Sequence, residues 1–329
     1  MTDLVRKYIS YIRDVRRYSQ RTVSNYTDVL KRFCELVHKD AEVSDKELLA
    51  SLNVSEIRTY EVFLIDSGLS SKTVNLHMSA LSGFCSFLVK EGMLNSNPVK
   101  LVTKPKVEKR LPVFYKQEAM EGFFESTSYL FSPETIDAFL EGHAAESGKK
   151  IYGSILVRLI ISMLYSLGLR RAELIGLNLG DVDFGRNLVK VRGKGDKMRE
   201  IPLIASLSEE ILLYLKAVET MCGGKRSLKE PLLVTYGGRR LYPTYVDRAV
   251  KSGLEGRKGI TGRKSPHVLR HSLATELMNR GTDIYSIKEM LGHSSLATTQ
   301  VYTHSSIAQL KNSYEQAHPR AKNGGKHGD

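Results

Sequence analysis

Residues 182–203 read VDFGRNLVKVRGKGDKMREIPL. Three short β-prone runs lie in this stretch: Val182-Asp183-Phe184, Leu188-Val189-Lys190-Val191-Arg192 and Met198-Arg199-Glu200-Ile201. Gly185-Arg186-Asn187 and Gly193-Lys194-Gly195-Asp196 punctuate them. Such runs between turn residues predict a three-stranded antiparallel meander. On both sides the periodicity is helical. Ile155 to Leu169 is nearly apolar all round, which predicts a buried helix. Leu207 to Val218 continues helical. Ser265 can cap a helix with Pro266 in its first turn and Gly281 past its end. Thr282 or Asp283 can cap another, ending at Leu291-Gly292, and Leu296 to Thr303 makes a further helix or turn. The expected class is mainly α with a small antiparallel β-sheet.

The first hundred residues carry only helical spacing. Leu4, Val5, Tyr8, Ile12 and Val15 form one apolar face. Val23, Tyr26, Val29, Leu30 and Phe33 form a second, with Ser19 and Thr22 as upstream caps. Ile57, Tyr60, Phe63 and Leu64 mark a third helix ended by Gly68. Val74, Met78, Leu81, Phe84 and Leu88 mark a fourth ended by Gly92. Four helices with short connections predict a small bundle over residues 1–103. Asn97-Pro98 stops the helical run. Residues 104–112, with Pro105, Pro112 and mostly basic neighbours, read as a stiff linker. A larger domain then covers 113–318, and a polar, glycine-rich tail covers 319–329.

The 329 residues leave room for about two domains at roughly 150 residues each. Charged residues at 26% and hydrophobic ones at 41% exclude a wholly disordered chain. No apolar run reaches the ~18 residues of a membrane span, so no membrane insertion is expected. Met1 to Asp14 mixes charges with Leu4, Val5 and Ile9, unlike a signal peptide. Cys34, Cys85 and Cys222 are too dispersed for a disulfide framework or a CxxC zinc knuckle. A reducing cytoplasm is the default. The net charge of +13 points to a polyanionic partner, since each neutralised phosphate releases counterions. Residues 1–107 and the remainder are both net basic, so both parts should touch a nucleic acid.

No phosphate-binding nucleotide motif is present. Gly193-Lys194-Gly195 lacks the rest of a P-loop, and no glycine set forms a dinucleotide fingerprint. His267-Val268-Leu269-Arg270 places an imidazole and a guanidinium on one helix face. His267 and His271 have zinc spacing, but Val268 stands where a zinc protease needs its glutamate base. No metal and no cofactor are expected. Other charged residues stand in order along the chain. Gly168-Leu169-Arg170 follows the apolar helix, Lys194 tips a β-turn, Leu291-Gly292-His293 closes a helix, and Tyr302 follows nine residues later.

The ordered set Arg170, Lys194, His267, Arg270, His293, Tyr302 resembles the tyrosine recombinases, and the match is close to the bacterial Xer recombinases. Thr73-Val74-Asn75, Asn97-Pro98, His267 to Thr275, Leu291 to Ser295 and Gln300-Val301-Tyr302-Thr303-His304 all look like that family. Ala317-His318-Pro319-Arg320-Ala321 leans towards its XerC side. The resemblance implies a two-domain DNA clamp: an N-terminal helical core-binding (SAM-like) domain and a C-terminal catalytic domain. It implies Tyr302 as nucleophile in DNA strand exchange, with four protomers on two duplexes. It further implies chromosome dimer resolution with a XerD-like sister recombinase, in a heterotetramer or homotetramer, with a DNA translocase at the septum as a further partner.

Physical chemistry explains the grouping. A phosphodiester gathers negative charge as phosphorus becomes five-coordinate. Two guanidinium forks, Arg170 and Arg270, can hold its non-bridging oxygens. Fixed cations aimed at developing charge usually supply the largest catalytic term. A tyrosine with a pKa of about 10 needs that field to act as phenolate. His267 can accept or return its proton, His293 can donate to a phosphate oxygen, and Lys194 can protonate the departing 5′ oxygen. Exchange of one ester for another needs neither ATP nor metal.

The alternatives are an integrase or invertase of a mobile element, a type IB-like topoisomerase, and a binding-only helix-turn-helix protein built on 265–291. Glu173 either supports Arg170 or serves as a cap or surface residue. His271 reads as structural, and Arg171 as exposed or DNA-contacting. Arg239, Arg240, Arg248 and Lys251 are candidate DNA contacts. Leu310 and Tyr314 lie on a C-terminal amphipathic stretch that either docks on a neighbouring protomer or packs on its own domain. Residues 119–150 are longer than the family pattern and suggest an added helix pair or a partner-contact loop.

Overall fold

The computed structural model describes residues 2–37, 43–107, 113–142, 145–193, 196–292 and Arg320. The chain divides into two compact units, Met1–Arg110 and Leu111–Asp329, with the division inside the stretch 104–112.

In the first unit α1 (Asp3–Ser10) starts at Thr2, whose side chain accepts from the Val5 amide, and widens to π spacing over Tyr11–Val15. Helix α2 spans Gln20–Val37, with the Ser19 hydroxyl accepting from the Thr22 amide as its sequence suggests. Helices α3 (Asp45–Ser51), α4 (Val54–Asp66) and α5 (Ser71–Lys90) complete the bundle. The bundle thus has five α-helices among the described residues, not four. The additional one, α3, is only two turns long and buries Leu48 as its main apolar anchor, so periodicity alone does not reveal it. Its start was marked all the same: the Ser44 side chain and Glu47 form a reciprocal capping box. Leu4, Val5, Tyr8, Phe33, Tyr60, Met78, Leu81 and Phe84 fill one core. Within it the Tyr60 hydroxyl pairs with His77 Nδ1 at 2.8 Å, which satisfies two buried polar groups at once.

The second unit is built around α8 (Glu146–Ser166), buried on nearly every side as its all-round apolar sequence requires. Before it come α6 (Gln117–Ser126), a 3₁₀ turn over Ser128–Phe131 and α7 (Pro133–Gly142). The long segment 119–150 is therefore mostly helical, and it packs through Phe123, Phe124, Ile136 and Phe139 into the main core. After α8 the chain forms α9 (Arg171–Gly176) and then β1 (Val182–Asp183), β2 (Leu188–Arg192) and β3 (Met198–Pro202). The order is β1-β2-β3, all antiparallel, with Val182 opposite Val189 and Val191 opposite Arg199. Helices α10 (Ala205–Cys222), α11 (Pro243–Leu254), α12 (Pro266–Asn279) and α13 (Ile284–Leu291) follow. Helices α7, α10, α11 and α12 surround α8.

Two cap expectations differ in detail. Ser265 stands at the N-cap of α12, but its hydroxyl is buried without a hydrogen-bond partner. Asp283, not Thr282, caps α13 by accepting from the Ser286 amide. The expected helix or turn at 296–303, and the stretch with Leu310 and Tyr314, lie outside the described residues. No described helix is long and apolar enough to cross a membrane.

One charge interrupts the apolar part of α8, residues 155–166. Arg158 is 3% exposed and donates through Nε to Thr127 Oγ1 at 2.6 Å and through Nη2 to Glu210 at 2.9 Å. Arg320, 7% exposed, joins the same carboxylate and also donates to Ser166 Oγ. Both guanidinium groups lie over the Phe124 ring, at 4.5 and 4.1 Å. Burial pushes the Arg158 guanidinium down to about 10, with Glu210 opposing that shift. Glu210→Gln would leave two buried cations without a counter-charge, which costs about 3–5 kcal/mol. A fall of at least ~6 °C in the midpoint of thermal unfolding is expected; an unchanged midpoint would show that Glu210 carries no such burden.

Candidate active site

Arg170 stands at the junction between α8 and α9. Gly168 makes the turn, with a left-handed backbone at φ +58°. A Cβ there would lie 2.5 Å from Leu291 Cδ2 and 3.1 Å from Leu273 Cδ2, so only glycine fits beside those buried leucines. The same turn exposes the Gly168 carbonyl, which accepts from Arg270 Nη1 at 2.6 Å.

Arg270 belongs to α12 and points into the domain, 7% exposed. Its Nη2 donates to the Leu291 carbonyl at 2.5 Å. Arg170 Nη2 donates to the next carbonyl, Gly292, at 2.7 Å. A third arginine, Arg199 of β3, donates through Nε to the preceding carbonyl, Met290, at 2.7 Å. Three consecutive carbonyls at the end of α13 thus capture three arginines from three distant segments. A helix end leaves such carbonyls without internal partners, and its dipole favours cations there. Gly292 ends the helix in the left-handed region at φ +64°. A Cβ on it would meet Arg199 Nη1 at 3.2 Å and Arg170 Nη1 at 3.5 Å.

Among the described residues Glu173 is the single carboxylate in this cluster. Its Oε1 accepts from Arg170 Nη1 at 2.7 Å and Arg199 Nη1 at 3.0 Å. Its Oε2 accepts from the Arg170 amide at 2.9 Å and Arg199 Nη2 at 2.8 Å. Burial works against its charge, but hydrogen bonds from Arg199 and the Arg170 amide outweigh that and hold the carboxyl below its usual range. Burial, reinforced by the Arg170 charge, pushes Arg270 down to about 10, so it is still a cation near neutrality. Arg170 keeps a third of its side-chain surface exposed, whereas Glu173 and Arg199 are sealed. The arrangement presents the Arg170 guanidinium to solvent from one side and braces it from the other, with Arg270 buried beside it. An oxyanion is the ligand such a surface suits.

Of the six residues singled out in the sequence, Arg170 and Arg270 come together on adjacent carbonyls. His267 lies one turn before Arg270 on α12 and is exposed. Lys194, His293 and Tyr302 lie outside the described residues. Of the residues left open, Glu173 proves to be the buried brace of Arg170. Arg171 is neither free nor fully exposed, because it pairs with Asp247. Arg240 donates to the Ile175 carbonyl at 2.7 Å and Asn178 Oδ1 at 2.6 Å, and Arg248 donates to the Tyr242 hydroxyl at 2.9 Å. His271 sits edge-on to Phe114, in keeping with a structural role.

Arg199 was missed as a site residue. Its signal lay in the strand alternation: Arg199 shares a face with Ile201, and that face points inward. An arginine at an inward strand position calls for a buried partner, and Glu173 is that partner.

Comparison with known proteins agrees with this organisation. The phage integrase family matches residues 143–309, and the phage integrase N-terminal SAM-like domain matches residues 5–92. The chain is 31% identical over 319 residues to the protein named tyrosine recombinase XerC from Chlorobaculum parvum, covering 95% of this chain and 94% of that one. It is 33% identical over 326 residues to the tyrosine recombinase XerC of Bacillus subtilis, covering 97% of each. A lambda integrase dimer bound to a COC′ core site has the same fold, with a TM-score of 0.61 at 18% identity over 91% of this chain and 98% of that one. The chain belongs to the phage integrase family, the site-specific tyrosine recombinases.

Proposed function

We propose that this recombinase cuts and rejoins double-stranded DNA through a 3′-phosphotyrosyl intermediate on Tyr302. The observation that carries this reading is the convergence of Arg170 and Arg270 on neighbouring carbonyls at the end of α13. Their free N–H groups suit the two non-bridging oxygens of a scissile phosphate. In the proposed step the Tyr302 oxygen bonds to phosphorus and the bond to the 5′ oxygen breaks. His267 takes the phenol proton, Lys194 gives a proton to the departing 5′ oxygen, and His293 donates to a non-bridging oxygen. The 5′ hydroxyl of another strand then attacks phosphorus, and the tyrosine leaves with its proton restored. One phosphodiester replaces another, so the exchange itself consumes no nucleotide.

Residues 1–103 serve as the DNA-binding domain and 113–318 as the catalytic domain, joined through 104–112 and followed by the tail 319–329. The relatives share the name tyrosine recombinase XerC, and with it we propose chromosome dimer resolution with a XerD-like partner, in a tetramer on two recombination sites, in the cytoplasm and under control of a septal DNA translocase. The helix pair α6–α7 is the feature that favours the second reading, an integrase or invertase of a mobile element. A binding-only protein would leave the braced arginine cluster without a role.

A nicked duplex carrying a site selected from random-sequence DNA traps the intermediate. Wild type should give an SDS-resistant protein–DNA adduct. Tyr302→Phe should bind the same duplex and give none; an adduct with Tyr302→Phe would remove Tyr302 as nucleophile. Arg270→Ala should slow adduct formation by ~10²–10³-fold, the usual loss for one donor to a developing oxyanion. Affinity should also fall ~10³-fold or more between 50 and 200 mM salt if six or more phosphates are contacted. A flat salt response would contradict binding by both basic units.

A further inference from the structure

We propose that Arg199 is a positioning residue for the strand-exchange reaction, acting through Glu173 to fix the guanidinium of Arg170. The inference rests on the reading of Arg170 as a phosphate-binding group.

Arg199 does not itself reach the open side of the cluster. Its side chain is 6% exposed, and all three of its nitrogens are turned inward, Nε to Met290 and the two Nη atoms to Glu173. The two parallel bonds form a fork, and a fork fixes the plane of a carboxylate as well as its position. That plane decides where Glu173 Oε1 stands, and Oε1 is the atom that Arg170 Nη1 grips at 2.7 Å. Among the described residues the Arg170 guanidinium has one further anchor, the Gly292 carbonyl. Arg199 lies beside that end of the site too: its Nε holds the Met290 carbonyl two residues earlier, and its Nη1 lies 3.2 Å from where a Cβ of residue 292 would stand. Both anchors of Arg170 therefore sit against Arg199.

A lysine at 199 keeps the positive charge but not the fork. It can bind one carboxylate oxygen and leaves the plane of Glu173 free to turn. Neutralisation of Glu173 survives in that variant, and alignment of Arg170 does not. Misplacement of a reacting or charge-stabilising group by about 1 Å is enough for a ~10²-fold loss of rate.

The test is a two-by-two cycle of single-turnover cleavage on the nicked duplex, using the full chain: wild type, Arg199→Lys, Arg170→Lys and the double variant. Arg199→Gln is run beside Arg199→Lys, and thermal unfolding confirms that each is folded at the assay temperature. Arg199→Lys should lower the first-order cleavage constant by ~10–100-fold, with affinity for the duplex within about threefold of wild type. In the Arg170→Lys background the same change should cost less than about threefold, because residues that act as one unit do not add. An equal factor in both backgrounds, or a loss of affinity with unchanged cleavage, would reduce Arg199 to a structural ion pair and overturn the proposal. Wild type that binds and never forms the adduct would instead overturn the strand-exchange reading, and the inference with it.

Discussion

The second unit depends on how the end of α13 is satisfied. The carbonyls of Met290, Leu291 and Gly292 stand at the end of the helix and have no helical partner among the described residues, and the helix dipole adds roughly half a negative charge at this point. Three arginines supply the missing donors. The gain is mutual. Each carbonyl is paired, and each guanidinium is held in a defined orientation by the rigid backbone. Gly168 and Gly292 are required because side chains at either position would intrude on leucines or guanidinium groups.

The charge balance of this cluster explains why it is suited to bind rather than merely to fold. Three guanidinium groups face a single carboxylate, Glu173, leaving a formal excess of two positive charges. A protein interior does not favour such an excess; burial first, and the Arg170 charge after it, lower Arg270, while Glu173 opposes the shift. A phosphodiester brings one negative charge, and a five-coordinate phosphorus approaches two. The proposed chemistry thus supplies what the resting cluster lacks. Because the donors are already oriented by carbonyls and Glu173, little reorganisation is needed as that charge develops.

Much of this was written in residue patterns, and the remainder failed for identifiable reasons. The apolar run from Ile155 gave α8 because burial on all sides needs no partner information. The glycine turns gave the meander, and the order of Arg, Lys, His-x-x-Arg, His and Tyr gave the family. Helix α3 was missed because two turns carry too little periodicity, although Ser44 and Glu47 marked its start. Arg199 was missed because its importance lies in a partner 26 residues away, and strand alternation shows only that it points inward. Arg158 was hidden inside an apolar window, where one charge does not disturb the average. For the two arginines the lost information was a pairing between distant segments.

The contrast between the two buried arginine clusters separates structural from functional charge. Arg158 and Arg320 also share one carboxylate, Glu210, and also carry an excess charge. There the Phe124 ring lies beneath both guanidinium groups, and both side chains are almost wholly enclosed. An aromatic face is a weak substitute for an anion, but it is permanent and needs no ligand. In the other cluster no aromatic ring among the described residues covers Arg170, which keeps a third of its side-chain surface open. Polar bracing from behind with an open front is the geometry of a group waiting for a partner. Bracing on every side is the geometry of a fastening. The same residue type, with an excess of positive charge in both clusters, therefore serves two ends in one domain, and what distinguishes them is whether water can still reach a guanidinium.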